Sequence, residues 1–580
     1  MQNDNTYILG ISCFYHDSAA VLLKNGELVA AAQEERFTRK KNDDSFPKNA
    51  INFCLSWEGI SADCISYVGF YDKPLLKFER IIESFVKSWP GDYNMFVKAV
   101  PMWLKDKLGI KNRIKKELGY SGAVYFCEHH MSHAASSFFV SPFNEAAILT
   151  VDGVGEWATT SFGLGKGNSI ELVKQIDYPD SLGLFYSLFT HYLGFKSNSA
   201  EYKVMGLAPY GKPKYAEKLK KLLQIYNDGS FKLNRRYFKS FYSIEKIEKE
   251  LAEIFGVKRR APGEPLEQFH KDIAASLQVV TNEVMVKMAN FIRKETSMEN
   301  ICLAGGVALN CVANSEILKK CGFKNIFIQP AAGDAGGALG AAYYVWNQVL
   351  GNARKFEMRH AFWGPCYSNR EIEAFLKSKG TEYQFFSEQD LAEKIAKLIA
   401  DQNVVGYLSG RMEWGPRALG ARSILADPRN KENWQRVNLK IKFRESFRPF
   451  APSVLNEDSL SYFNINNSPY MLFIANVKRD DIPAVTHVDG TARIQTVDSV
   501  SNPKYHNLLA EFKKLTGCPV LINTSFNIRG EPIVCSPEDA FNTFIKTDID
   551  FLVLENFLID KNSVSSKYPF IKPKISHDVD

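Results

Sequence analysis

Three histidines stand within five residues, in Glu128-His129-His130-Met131-Ser132-His133, although the chain holds only ten in 580 residues. His129 and His133 are four apart. On a helix that spacing puts two rings on one face, where both can reach one ion. His130 with His133 is the alternative pair. Two acids could complete a ligand set. Asp152 follows the apolar run 147–151, and Asp334 sits in Ala332-Gly333-Asp334-Ala335-Gly336-Gly337, where small neighbours let backbone approach a ligand closely. Either Asp alone serves equally as a turn former or a helix N-cap. Two imidazoles and two carboxylates suit a borderline divalent ion such as Fe(II), Zn or Mn.

Other residue sets offer different chemistry. His16, in His16-Asp17-Ser18, lies between two apolar runs, in a position suited to a general base or to a solvated loop. Gly305-Gly306-Val307-Ala308-Leu309-Asn310 follows a buried run and precedes a helical pattern. Such a turn admits a nucleotide or is simply a tight turn. Further on, cations stand among glycine, proline and aromatic residues: Arg417 in 410–417, Lys442 in 441–445, Arg448 in 447–450 and Arg493 in 492–494. Planar forks and point charges at chain turns suit phosphate, with surface ion pairing as the competing role. Asn523-Thr524-Ser525-Phe526-Asn527 adds hydroxyl and amide groups, or caps a turn.

The elements that must carry these residues follow from pattern. Strands are predicted at 8–12, 19–23 and 28–33, with Asn25-Gly26 as a hairpin turn. The same grammar returns at 147–151, 159–163 and 170–176. This repetition suggests a duplication, with two similar halves facing a shared cleft. A helix is predicted over 270–293, a buried strand over 300–304, and a glycine-rich stretch at 333–340 leading into another helix. A polar, basic stretch at 351–363 marks a boundary. Helices at 369–379 and 389–401 and strands at 404–408 and 519–522 follow, with a tail from Lys561.

At 580 residues the chain is too long for one core, so an α/β protein of two domains is expected, at 1–355 and 361–580. A net charge of +7 is mild; it fits an anionic substrate and does not demand nucleic acid. The run Lys258-Arg259-Arg260 reads as a solvated face. Ten cysteines without CxxC spacing argue against a disulfide framework or zinc ribbon. No stretch has the length and apolarity of a membrane span. A cytoplasmic location is expected, without nucleic-acid or membrane partners.

The motifs together resemble the O-carbamoyltransferases of nodulation-factor and antibiotic pathways, the NodU and CmcH group. Matching stretches include 10–20, 34–41, 129–136, 203–211, 305–310, 333–340, 410–422, 438–454 and 523–532, in order along nearly the whole chain. The resemblance implies an N-terminal duplicated domain of the actin-like ATPase fold (ASKHA) and a C-terminal YrdC-like α/β domain. It implies carbamoyl-adenylate formation from carbamoyl phosphate and ATP in the second domain, then carbamoyl transfer in the first to a hydroxyl of a small, sugar-like or natural-product acceptor. It assigns His129, His133, Asp152 and Asp334 to a metal, Fe(II), with Mg as a further ion. His16 and Lys41 become catalytic, while Gly305, Gly306 and Asn310 keep the nucleotide contact expected from their own turn. Arg417, Lys442, Arg448, Arg493 and Ser525 hold carbamoyl phosphate and ATP. Relatives often carry His where this chain has Asn42. A homodimer is one option for assembly. A small-molecule kinase and a nonenzymatic nucleotide-binding regulator are the competing functions.

Overall fold

A computed structural model describes residues 5–87, 97, 109–238, 244–565 and 568. The chain divides into two compact units, Met1–Glu34 with Asn42–Met358, and Glu35–Lys41 with Arg359–Asp580. The short segment Glu35–Lys41 thus belongs to the second unit although the chain on either side of it belongs to the first.

The first unit is built from two five-stranded sheets. One contains β1 (Tyr7–Ser12), β2 (Ala19–Lys24), β3 (Glu27–Gln33), β4 (Tyr67–Phe70) and β5 (Ala123–Phe126). The chain continues with β6 (Glu145–Val151), β7 (Ala158–Lys166) and β8 (Ser169–Asp177). A separate ribbon pairs β9 (Leu223–Ile225) with β10 (Phe231–Leu233), and β11 (Asn300–Ala304) and β12 (Asn325–Ile328) complete the second sheet. The strand orders are β3-β2-β1-β4-β5 and β8-β7-β6-β11-β12. In both, the first three strands run antiparallel as a meander and the last two run parallel to the first. Identical order and direction make the halves a duplication, the arrangement of the actin-like fold. The Asn25-Gly26 turn has both residues at positive φ, 53° and 86°, which matches the right-handed twist of the flanking strands.

Each first strand ends in a loop that carries chemistry, His16-Asp17 after β1 and Asp152 after β6. Two helices, His129–Phe138 and Asp334–Tyr343, pack on one another between these loops. The glycine-rich stretch is itself the second helix rather than a lead into one. A side chain at Gly340 would overlap the Ser132 carbonyl, and one at Gly337 would press on Tyr71 and Ser132. Glycine there trades helix propensity for close backbone approach. Arg260, expected on a solvated face, is buried and donates to the Leu193 and Gly194 carbonyls at 2.6 and 3.3 Å.

The second unit is an α/β body around an eight-stranded mixed sheet. Its strands are β13 (Gln384–Phe385), β14 (Val405–Leu408), β15 (Arg422–Ala426), β16 (Ala451–Leu455), β19 (Gln495–Val497), β20 (Val520–Ser525), β21 (Phe551–Leu554) and β22 (Phe557–Asp560), with the pair β17 (Ile474–Asn476) and β18 (Thr491–Arg493) beside it. The sheet order is β13-β22-β21-β14-β15-β20-β16-β19. Its core packs apolar faces of the helices Glu388–Ala400, Pro503–Thr516 and Pro537–Ile545 on the sheet. The predicted tail begins instead with a helix, Lys561–Ser565; residues 569–580 lie outside those described. No helix among the described residues is long and apolar enough to cross a membrane.

Candidate active site

In the first unit, one helical turn brings the Nε2 atoms of His129 and His133 to 3.1 Å. Asp152 Oδ2 stands 3.1 Å from the first and 3.8 Å from the second. Asp334 Oδ1, on the neighbouring helix, stands 3.6 and 3.7 Å from the same two atoms. One ligand atom from each of the four groups falls within 4.8 Å of the other three. His130, the alternative partner, turns away and bonds Thr150 Oγ1 at 2.7 Å.

This arrangement has a feature that hydrogen bonding within the protein does not resolve. Asp334 is 1% exposed, yet neither carboxylate oxygen has a hydrogen-bond partner. Buried carboxylates without donors are costly. A shared cation relieves that cost and takes the two facing imidazole nitrogens as ligands, so the four residues fit a divalent metal ion, and the mixed nitrogen and oxygen donors suit a borderline one. Burial pushes His129 well below the ordinary imidazole pKa, which keeps it neutral and able to donate a lone pair. Burial, with Asp152 nearby, pushes Asp334 up to about 6.

The surrounding groups fix these side chains. Asp152 Oδ1 accepts from Gly306 N at 2.8 Å. Glu156 accepts from the backbone N–H of His129, at 3.1 and 3.0 Å to its two oxygens, and from Lys73 N at 2.7 Å. It thereby satisfies an orphan donor at the start of the His129–Phe138 helix. Burial first, then Asp72, raises Glu156 to about 7. Sequence reading passed over Glu156, and its place after Asp152-Gly153-Val154-Gly155 was the available signal.

His16 borders this cluster. Its Nε2 lies 3.7 Å from Asp334 Oδ2 and its Nδ1 3.0 Å from Asp17 Oδ2. Burial lowers the proton affinity of His16, but Asp334 and Asp17 outweigh it and hold the pKa well above the ordinary value. Asn42 donates to Asp17 Oδ1 at 2.8 Å, and its own Oδ1 accepts from Ser199 Oγ at 3.1 Å. It orients the carboxylate that orients His16. Lys41 ends the segment that belongs to the second unit. Gly305 turns at φ 89°, where a side chain would strike the Val151 backbone. Asn310 caps the helix Cys311–Lys320 through Ala313 N at 3.1 Å, and exchanges hydrogen bonds with Gln278 at 3.1 Å.

In the second unit, Lys442 is buried, and its ammonium donates to the Ser525 carbonyl at 2.5 Å, to Ser525 Oγ at 3.1 Å and to Asn527. The structure thus joins Lys442 and Ser525 directly. Arg448 meets Glu445 at 3.7 Å, and Arg529 meets the same carboxylate at 3.3 Å. Arg417 stands half-buried on the loop that enters β15, whose Ser423 pairs with Ser525 of β20. Arg493 ends β18, opposite Ile474.

Comparison with known proteins bears on both units. Residues 7–343 match the family model described as carbamoyltransferase N-terminus, and residues 396–561 match carbamoyltransferase C-terminus. An uncharacterized protein of Synechocystis sp. is 51% identical, the alignment covering 96% of this chain and 97% of that protein. Nodulation protein NolNO of Sinorhizobium fredii is 38% identical, with 95% and 80% covered. Nodulation protein U of the same organism is 28% identical, with 89% and 92% covered.

Proposed function

This chain belongs to the carbamoyltransferase family, and we propose that it is an ATP-dependent O-carbamoyltransferase working at two sites. At the first site, in the second unit, water releases phosphate from carbamoyl phosphate. The resulting carbamate oxygen attacks the α-phosphorus of ATP and expels pyrophosphate, leaving carbamoyl-adenylate. At the second site, in the first unit, a hydroxyl of a small, sugar-like acceptor attacks the carbamoyl carbon and expels AMP. The observation that carries the reading is the convergence of His129, His133, Asp152 and Asp334 beside His16 in a chain of this family.

The residues divide the work. Arg417, Lys442, Arg448, Arg493 and Ser525 hold the phosphates and carbamoyl phosphate. Oxygens of Ser525 and Asn527 hold the Lys442 ammonium in place, where it would meet an incoming anion. Losing one such contact typically costs about a hundredfold in rate. Gly305, Gly306 and Asn310 face nucleotide in the first unit. His129, His133, Asp152 and Asp334 would hold a divalent ion such as Fe(II), which when bound supplies Lewis acidity toward a carbamoyl oxygen. Asp334 is the group that most raises the proton affinity of His16, and a cation held by Asp334 would weaken that pull. With Asp17 accepting the Nδ1 proton, the neutral ring then has Nε2 open to take the proton of the acceptor hydroxyl. Lys41 steadies the carbamoyl or phosphate group.

Product analysis tests the reading. With ATP and carbamoyl phosphate, the chain is expected to release pyrophosphate and AMP; Lys442→Ala removes that release and His129→Ala retains it. ADP as the nucleotide product would identify a kinase instead. Pyrophosphate release lost with His129→Ala and kept with Lys442→Ala would reverse the assignment of sites.

A further inference from the structure

The loop from Gly410 to Arg422 carries Arg417, and its shape is held by a buried carboxylate that touches no cation. Glu413 is 4% exposed. One oxygen, Oε1, accepts three backbone N–H groups from farther along the same loop: Leu419 and Ala421 at 2.7 Å each and Arg422 at 3.1 Å. An acid buried in this unit would ordinarily be paired with a cation, and Arg422 is at hand. Yet the Arg422 guanidinium donates to four carbonyls instead, those of Cys535, Gly410, Ala421 and Pro365, at 2.9 to 3.2 Å. The acid and the base each grip backbone, and neither neutralises the other.

From this geometry we infer that Glu413 is a positioning residue for the adenylation step, fixing the loop so that Arg417 meets polyphosphate. The inference rests on the reading above that Arg417 serves that site. The loop turns at Gly415 and Gly420, with φ of 113° and 101°, so its path is one that few sequences adopt unaided. Removing the acceptor would strand three buried N–H groups, and the loop would move to find others. Arg417 also lies between anchored points. Ahead of it the Gly415 carbonyl accepts from Arg36 at 2.9 Å, and behind it the Leu419 carbonyl accepts from Gln495 at 2.7 Å. Glu413 closes this set from inside. The three amide donors all meet Oε1, while Oε2 is buried without a hydrogen-bond partner, so the grip of Glu413 on the loop runs through that one oxygen.

The full-length chain is assayed for carbamoyl-phosphate-dependent pyrophosphate release with Glu413→Ala, Glu413→Gln and Arg417→Ala. A displacement of about 1 Å at a reacting centre costs on the order of a hundredfold. Glu413→Ala is therefore expected to lose about a hundredfold in kcat, with KM for ATP changed less than about twofold. Glu413→Gln keeps an acceptor oxygen and the shape of the side chain; it is expected to recover most of that loss, to within about tenfold of the parent, at an unchanged Tm. Parent kcat in the Glu413→Ala protein, or a raised KM with kcat intact, overturns the inference. If the alanine variant does not fold, Glu413→Asp, which draws the acceptor back by one methylene, decides: a kcat reduced several-fold at the parent Tm supports positioning, and a parent kcat overturns it. Full activity in Arg417→Ala removes the underlying reading instead, while loss in Arg417→Ala with no response at Glu413 removes this inference alone.

Discussion

The two candidate sites treat buried charge in opposite ways. Around Asp334 the charged and titratable groups face one another: two imidazoles, two carboxylates and then His16, all within ion-pair reach. In the second unit two buried cations are gripped by neutral oxygens: Arg422 meets four carbonyls, and Lys442 meets the Ser525 and Asn527 oxygens. A cation capped by dipoles is held in place but keeps its net charge. A set of facing acids and imidazoles sets its members' protonation states against each other, and wants a cation in the middle. The first arrangement suits proton movement at a metal, and the second suits an anion that arrives from solvent.

The strongest test of this contrast is His16→Asn. Asparagine keeps the size and some hydrogen bonding but takes no proton at neutral pH. Removing a general base costs about a hundred- to ten-thousand-fold. Carbamoyl transfer to an acceptor is expected to fall by that range while pyrophosphate release stays near the parent rate, both followed in one reaction mixture. Equal loss of both would show that His16 serves the two sites together, and no loss would leave it a loop residue.

A smaller effect separates packing from chemistry. Gly340 lets the helices that carry the histidines and Asp334 touch, and a Cβ there would overlap backbone atoms of Ser132. Overpacking of this kind typically costs about 1–3 kcal/mol. Gly340→Ala is expected to lower the melting temperature and to weaken metal binding measured by titration, because the strain falls between the ligand-bearing helices. Unchanged metal affinity at a lowered melting temperature would show that the ligand set does not depend on that contact.

Much of this was legible in the residues, for reasons that are themselves local. A hairpin turn needs two positive φ values, which Asn25-Gly26 announces. The i,i+4 histidine spacing and acids after apolar runs are likewise written within a few residues. What escaped reading depends on distant backbone. Glu413 looks like any acid in a charged segment until Leu419, Ala421 and Arg422 fold back on it. The stretch 333–340 reads as a lead into a helix, since helix propensity argues against its glycines, and only distant neighbours explain Gly337 and Gly340, which lie against Tyr71 and the Ser132 backbone. Glu35–Lys41 reads as part of its neighbours because nothing in its composition reveals that Arg36 and Arg39 grip carbonyls hundreds of positions away.

The smallest expected effect concerns a cation outside both sets of candidate site residues, and it probes what capping by carbonyls does to a proton. Lys561 Nζ donates to the Phe544 and Thr547 carbonyls at 2.5 and 3.1 Å, at the end of the Pro537–Ile545 helix. Burial pulls its pKa down to about 8, against the opposing pull of Asp548 and Asp550. An unfolded lysine titrates near its ordinary value of 10.5. Between those two values the unfolded chain binds more protons than the folded one, so stability rises with pH across the window. Below pH 8 both states carry the charge, and the folded state bears the whole cost of burying it. Lys561→Met removes that titration. The melting temperature of the parent, measured relative to Lys561→Met, is therefore expected to be lowest at pH 7 and to climb steadily from pH 8 to pH 10. A difference that stays level across that range would mean the carbonyls and the two aspartates fully compensate the burial. Carbonyl capping would then hold a cation without loosening its proton, and the contrast between the two regions would rest on geometry alone.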